Sequence, residues 1–509
     1  MLESLPHGQW DHRRAAHLLR RISIGVRPEE IAVLASMPFD DAIDHILNPL
    51  SIDFDGYRHL THDDVVSGVS PIDAPEWHAY FREKNLRYGD VRRWWIRTML
   101  SEGTSIQERM VLFWHMLFTT SMNGAHYAEH VLDQNLFMRD NCLGDLRAMV
   151  DGITHGTAMQ IYLDGIRNEW HDWFDGVNEN HARELFELQT LGIPSDISPA
   201  YTQGDVAEAA RAFSGWRLDE YWKDNGNGVR TLYRKRNTVW RKDHWDYRHK
   251  AVFGRTGPWN GHDVVSMLFT ERPTHVARHI CRRILAEFLT ASPDERLVDA
   301  LAQHLIDSGW SIGSTMRTLF RSGEFYAPGY RMGLVRSPIH LLVGTLRTIR
   351  TTYITDLDDA DGRSENDLLD RLSSMGHLMY DPPNVSGWAG GMAWLSAASV
   401  PTRIDLCRRI ALGEVEFKDY AGGRYVYTYD AYALASSLAD PSDLEALVRA
   451  TASFFLDTVD PHVCDALRFA FLQGASSPEW YAAQDDPTTD RRLRLGFATA
   501  LGSPRYQLH

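Results

Sequence analysis

A chain of 509 residues exceeds what one hydrophobic core usually supports, so two lobes sharing an interface or one large body with excursions are expected. With 44% apolar and 24% charged residues, the composition is that of a globular protein and excludes a mostly disordered chain. A formal charge of −15 with only short basic runs argues against a nucleic-acid partner, which needs clustered cations to displace phosphate counterions.

No run of about eighteen uncharged apolar residues occurs, so no membrane partner is expected. The N-terminus, MLESLPHGQWDHRRAAHLL, lacks an apolar stretch after a basic start, and as written it predicts a cytoplasmic chain. Cys142, Cys281, Cys407 and Cys464 are widely separated with no CxxC pair. That spacing predicts four buried free thiols, not a zinc ribbon or a disulfide frame.

Helical periodicity recurs at His12–Arg21, Pro28–Leu47, Val91–Glu102, Ile106–Phe118, His130–Thr154, Asn180–Leu191 and Asp205–Phe213. Between Gly215 and Gly261 it breaks into Trp, Tyr, Arg and Asn with β-branched residues, which predicts a long irregular insertion with a small β-hairpin. The basic run Arg230–Arg241 falls inside it and is expected to be a solvated loop or hairpin. Helices resume at His262–Phe269, Pro273–Leu289, Asp294–Ser308, Ser314–Phe320 and Ser337–Thr351, followed by a Gly/Pro/Trp loop at Tyr380–Trp394 and a helical tail from Tyr432. The expected fold is mainly α, one large helical body of many packed helices. It divides into an N-terminal half (1–214), the insertion (215–261), a second half (262–430) and a tail (431–509). A weak echo joins LFRSGEFY, SSPEWY and GSPRY, each after an apolar helix, and reads as helix-ending turns.

From Met110 to Phe118 every residue but His115 is apolar, so this helix is expected to be buried with His115 inside. Glu108 lies two turns back on the same face and could share a cavity with it. Asn178 or Asn180 can cap the next polar helix, where His181, Glu184 and Glu187 are spaced so that neighbours can share a metal or a substrate. Arg183 and Glu187 also fit an ordinary i, i+4 ion pair. Glu179 precedes the helix with loop freedom to face a cleft. Asp164 follows the apolar Ile161–Leu163 step, where a buried carboxylate needs Arg, His or metal compensation. Tyr201, Arg211 and Trp216 lie nearby in sequence, Lys250 closes the DHWDYRHK cluster, and Asn384, Trp388 and Trp394 form a rigid aromatic platform or plug the core.

GxGxxG, Walker and HExxH patterns are absent, so no motif names a cofactor, and a divalent or transition metal is the one left open. The single GxSxG match, Gly309–Gly313, follows a helical segment where a nucleophile elbow needs a strand, and reads as a turn.

Six stretches then resemble, in order, the bacterial domain of unknown function 1800 family: AAHLLRRISIG (Ala15–Gly25), ERMVLFWHMLFTTS (Glu108–Ser121), YLD (Tyr162–Asp164), NENHARELFELQTLG (Asn178–Gly192), YTQGDVAEAARAFSGW (Tyr201–Trp216) and PPNVSGWAGGMAW (Pro382–Trp394). The resemblance spans His12 to Arg403 and implies a helical fold and a set of places, not an activity. The places are His115, Asp164, Glu179, Asn180, Arg183, Glu184, Asn384 and Trp388. This chain has His181 where relatives usually carry Tyr and Gln189 where they often have His, so a metal site needing His181 is peculiar to it. Relatives look exported as a rule, against the cytoplasmic expectation above.

Three functions fit these residues. The first is an enzyme of hydrolase type acting on a small-molecule or glycan-like substrate, with Glu179, Glu184, His115 and Asp164 as acid and base groups. Arg183, Asn180, Tyr201, Arg211, Trp216, Lys250, Asn384, Trp388 and Trp394 then bind substrate. The second is a metal-dependent oxidoreductase with His115, His181, Glu184 and Asp164 as ligands. The third is a non-catalytic binding or assembly protein.

Overall fold

The computed structural model describes the chain apart from residues 1, 7, 52–63, 71–74, 102, 126, 172–173, 194–198, 352–362 and 419–423. Among the described residues, 22 α-helices form the body and strands are confined to sheets of two or three, so the fold is mainly α with a small β insertion. No described helix is long and apolar enough to cross a membrane. All four cysteines are free and buried.

Local chemistry sets the helix ends. His12–Ile22 starts at Asp11, whose carboxylate accepts the Arg14 N–H at 2.8 Å, and buries Ala15, Leu18, Leu19 and Ile22. The expected Pro28–Leu47 helix is two, Pro28–Ser36 and Phe39–Leu47. Pro38 supplies no N–H and forces Met37 into extended backbone, which ends the first helix. The His130–Thr154 stretch also splits, into Ala128–Asn141 and Leu146–His155, with Asp145 capping the second at 2.7 Å. Pro75–Ser101, 27 residues long, starts well before Val91, and Glu102 lies outside the described residues. Every residue of Gln107–Leu117 is buried, as its unbroken apolar surface predicts.

One cluster of buried apolar side chains runs from Leu5 to Tyr506, so the chain's beginning, middle and end share a core. The 215–261 insertion holds the expected hairpin, in which Trp216–Asp224 pairs antiparallel with Arg230–Trp240, Trp216 opposite Trp240. A third strand, Asp64–Ser70, lies along the other edge of Arg230–Trp240, which the sequence pattern does not reveal. The basic run is therefore a central strand whose Arg234 and Arg236 are neutralised by Glu220 (2.7 Å) and Asp133 (2.9 Å). The three echo segments each form a 3-10 turn after a helix, at Gly323–Tyr326, Ser477–Glu479 and Pro504–Gln507. Ser311 of the GxSxG match caps Ile312–Arg321, its side chain accepting the Ser314 N–H at 3.2 Å.

Candidate functional site

The residues singled out from sequence fall into three separate neighbourhoods. The first is an enclosed box around His115, which is fully buried. Its Nε2 accepts the backbone N–H of Tyr380 at 3.2 Å, so the neutral ring carries its proton on Nδ1, which has no partner. Trp95, Tyr380 and Trp388 surround it, with ring centroids at 5.4, 4.6 and 5.5 Å. His377, also fully buried, continues the box, stacking on Trp394 at 4.7 Å and meeting Trp388 edge-on at 5.0 Å. Burial and the Arg92 charge hold His115 at about 3, and burial with His115 holds His377 at about 3. Such imidazoles stay neutral and are poorly matched to acid–base work near neutrality. Glu108, itself buried, ion-pairs with Arg139 and accepts the Trp95 indole N–H at 3.0 Å.

Of the two expectations for Trp388 and Trp394, a platform or a plug of the core, the structure has the plug. Both are under a tenth exposed, and their faces are occupied by histidines and Met116 because burying so much apolar ring area outweighs leaving it wet. Asn384 sits apart on an exposed turn, its side chain accepting the Ser386 N–H at 2.9 Å.

The second neighbourhood is a surface patch on Asn180–Glu184 and Gln203–Ala212. Arg183 pairs with Glu179 at 2.6 Å, not with Glu187, and Gln203 braces both ends of that pair at 2.7 and 2.9 Å. Asn178 caps the helix by accepting the Asn180 N–H at 2.9 Å, and Asn180 donates to the Leu163 carbonyl at 3.3 Å. Asp164 is not the buried carboxylate expected. It sits half-exposed in a left-handed turn (φ 60°) beside Arg167 at 3.1 Å, because the chain reverses there and turns Asp164 to solvent. Burial and then the neighbouring Glu187 raise the Glu184 carboxyl above its ordinary range. Tyr201, pushed up to about 12 by burial and Glu187, has a buried hydroxyl with no hydrogen-bond partner. Arg211 is committed to Asp246 and Glu208, both at 2.7 Å. Lys250 is fully buried over Trp245 and donates to the carbonyls of Asp246 and Arg248, so neither cation is free to receive substrate.

The third neighbourhood contains His181 and Trp216 and is centred on residues that sequence reading missed. The Leu146–His155 helix buries Leu146, Met149, Val150 and Ile153, so Asp151 and His155, one turn apart, share its other face. Asn260 caps Gly261–Glu271 and sets His262 in that helix's first turn. A Cβ at Gly261 would come within 2.7 Å of His155 Nε2, so glycine permits the close approach of the two helices. His262 Nδ1 lies 2.8 Å and His155 Nδ1 3.2 Å from Asp151 Oδ1, with His155 Nδ1 also 2.9 Å from the Asp151 backbone carbonyl and the two rings stacked at 3.8 Å. Burial opposes ionisation of Asp151, but hydrogen bonds from the two imidazoles overcome it and hold the carboxyl below its ordinary range. The same contact raises His262. Trp216 packs 5.3 Å from His155, and His181 lies behind, fully enclosed against Phe213 at 5.4 Å and held at about 3 by burial and then His155. Donor atoms about 3 Å apart are what one ion with bonds near 2.1 Å requires of ligands at roughly right angles.

The metal set His115, His181, Glu184 and Asp164 does not converge, since His115 is locked in its box and Asp164 on its turn. Among the described residues, one other His/carboxylate group has donor atoms close enough for an ion, Glu169, His171 and His244. There the Arg217 guanidinium already sits on Glu169 and 3.0 Å from His244, a fixed cation where an ion would go. The signal for the third neighbourhood was the i, i+4 Asp-His pair, Asp151 and His155, on an amphipathic helix. Nothing in the sequence joins it to His262, 107 positions on from His155.

A family described as "Protein of unknown function (DUF1800)" matches residues 17–508. The chain belongs to this family. No curated protein and no solved structure matches it. Family membership covers nearly the whole chain and assigns no chemistry, so the geometry above carries the functional reading.

Proposed function

We propose that this DUF1800 protein is a metal-dependent enzyme whose ion is held by Asp151, His155 and His262. The observation that carries the reading is the 2.8 and 3.2 Å convergence of two imidazole nitrogens on one carboxylate oxygen, drawn from two different helices. Two histidines and a carboxylate leave coordination positions open, and the exposure of Asp151 (39% of its side chain) and His262 (56%) puts those positions on the solvent side. Trp216 supplies an apolar wall beside them. With iron this donor set supports oxidoreductase chemistry, and with zinc it supports activation of a water for hydrolysis. Elemental analysis of purified protein distinguishes the two. One transition ion per chain is expected, lost in Asp151→Asn and His155→Gln with unchanged circular dichroism. Protein that binds no ion after incubation with Fe(II), Zn(II) or Mn(II), or variants that bind as the parent does, would end the metal reading.

Acid–base hydrolysis of a glycan-like substrate is the second reading, favoured by Glu184. Burial and the neighbouring Glu187 raise its carboxyl, the direction a general acid needs. In that case Glu184→Gln abolishes turnover across a glycan panel while ion content and melting temperature stay as in the parent. Turnover that survives Glu184→Gln removes it. The compartment belongs to the proposal as well, and four buried free thiols suit the cytoplasm.

A further inference from the structure

The first helices of the chain pack against its tail and leave a cleft between them. His12–Ile22 and Pro28–Ser36 form one side, and Ala431–Leu438 and Leu444–Leu456 form the other. Its volume is about 460 Å³, within the range of sites that take small organic molecules. Small side chains line it, Ala16 and Ala32 on the first side and Ser437, Ala450 and Ser453 on the second, so the chain does not fill its own depth. Ile31, Leu438 and Phe454 add apolar wall, and Val459 stands at the edge with 62% of its surface exposed. Apolar walls with a few charged groups are the form that ligand sites take.

The charged groups of the cleft differ in what holds them. At one end Arg20 donates to the Phe454 carbonyl at 2.8 Å and to Asp457 at 3.3 Å, and Asp457 also accepts from Arg331 at 3.0 Å. That carboxylate is answered twice and that arginine is committed. Two turns back on the same helix, Arg13 also lines the cleft, and among the described residues nothing pairs with its guanidinium. The neighbouring carboxylates are engaged elsewhere, Asp11 by Arg14 at 2.7 Å and Asp460 by the His462 N–H at 2.9 Å. The result is an apolar channel with one free cation near its mouth. Arg13 and Arg20 stand roughly 10 Å apart along the helix axis. A partner's helix, about 10 Å across with its side chains, would occupy roughly 800 Å³ over that length and lie partly outside the cleft, whereas a single apolar chain is enclosed.

We propose that this cleft binds an anionic amphiphile, an aliphatic carboxylate whose chain lies against Ala16, Ile31, Leu438 and Phe454 and whose head group pairs with Arg13. The site shares no residue with the Asp151 centre and does not rest on that reading. Calorimetric titration of decanoate, below its micellar concentration, into the full chain is expected to give saturable binding and a rise in melting temperature. Butyrate binds far more weakly, because each methylene withdrawn from water is worth up to about fourfold in affinity. Arg13→Gln, at an exposed position, weakens decanoate binding at least about threefold and leaves the binding of decanol unchanged. Ala32→Trp, also at an exposed position, fills the cleft and removes the binding of both, while the ligand-free melting temperature stays as in the parent. The proposal is overturned if decanoate binds no more tightly than butyrate, if Arg13→Gln affects decanoate and decanol alike, or if Ala32→Trp retains the parent's affinity. A dimer of this chain that Ala32→Trp dissolves would also overturn it, since the cleft would then be an interface between copies.

Discussion

Two histidine clusters in this chain are built from the same side chain and behave in opposite ways. In the box, His115 and His377 are sealed among Trp95, Tyr380, Trp388 and Trp394 and held at about 3, because burial penalises the charged ring and no carboxylate answers it. At the rim, His155 and His262 converge on Asp151 with solvent on one side, and His262 moves up instead of down. What separates them is a carboxylate within 3.2 Å and access to water. The box is closed to solvent, and the rim is open to it.

Trp388→Ala tests that division most severely. It removes a ring that touches His115, His377 and Met116, leaving a cavity in a site that cannot collapse without moving both imidazoles. A loss of about 3–5 kcal/mol is expected in denaturant unfolding, with metal binding at Asp151 unaltered. If Trp388→Ala unfolds like the parent yet abolishes activity or ligand binding, the box is a binding platform and the contrast fails.

The two clusters were unequally legible in the sequence. A helix apolar on every side announced that His115 is internal, and the Gly/Pro/Trp loop announced that Trp388 and Trp394 are held rigidly. That His115 accepts the N–H of Tyr380, 265 positions on, was not written in any local pattern. Asp164 misled because the apolar step before it belongs to the Thr157–Tyr162 helix, while Asp164 itself has left that helix in a left-handed turn. The helical body was readable because amphipathic periodicity is a local property. The strand Asp64–Ser70 was not, since its partner lies beyond residue 229. Asp151 and His155 were visible as an i, i+4 pair, but their value depends on His262, which arrives through tertiary packing at Gly261.

Acid sensitivity sharpens the contrast next. Burial lowers His115 from 6.5 to about 3 in the folded chain, so between those values the unfolded state holds one proton more. Its contribution to stability is complete above pH 6.5 and is lost as pH falls toward 3, at about 1.4 kcal/mol per pH unit. His377 acts in the same window and direction. His115→Gln keeps an acceptor for the Tyr380 N–H and removes the titration, so unfolding midpoints measured from pH 6 down to 4.5 should show a slope shallower by about one proton. An unchanged slope would place His115 in contact with water and dissolve the distinction from the rim.

The smallest effect is expected where function is proposed. His262 is more than half exposed, so its hydrogen bond to Asp151 is screened by solvent, and His262→Ala should change the stability of ion-free protein by well under about 1 kcal/mol. The same substitution removes one of three ligands and should release the ion, so the ion-dependent rise in melting temperature disappears while the ion-free value hardly moves. Measuring both values in one variant separates the roles, because a scaffold histidine changes the ion-free number and a ligand changes only the difference. Should His262→Ala cost ion-free protein as much as Trp388→Ala does, the rim cluster is scaffold too, and burial alone would explain both sites.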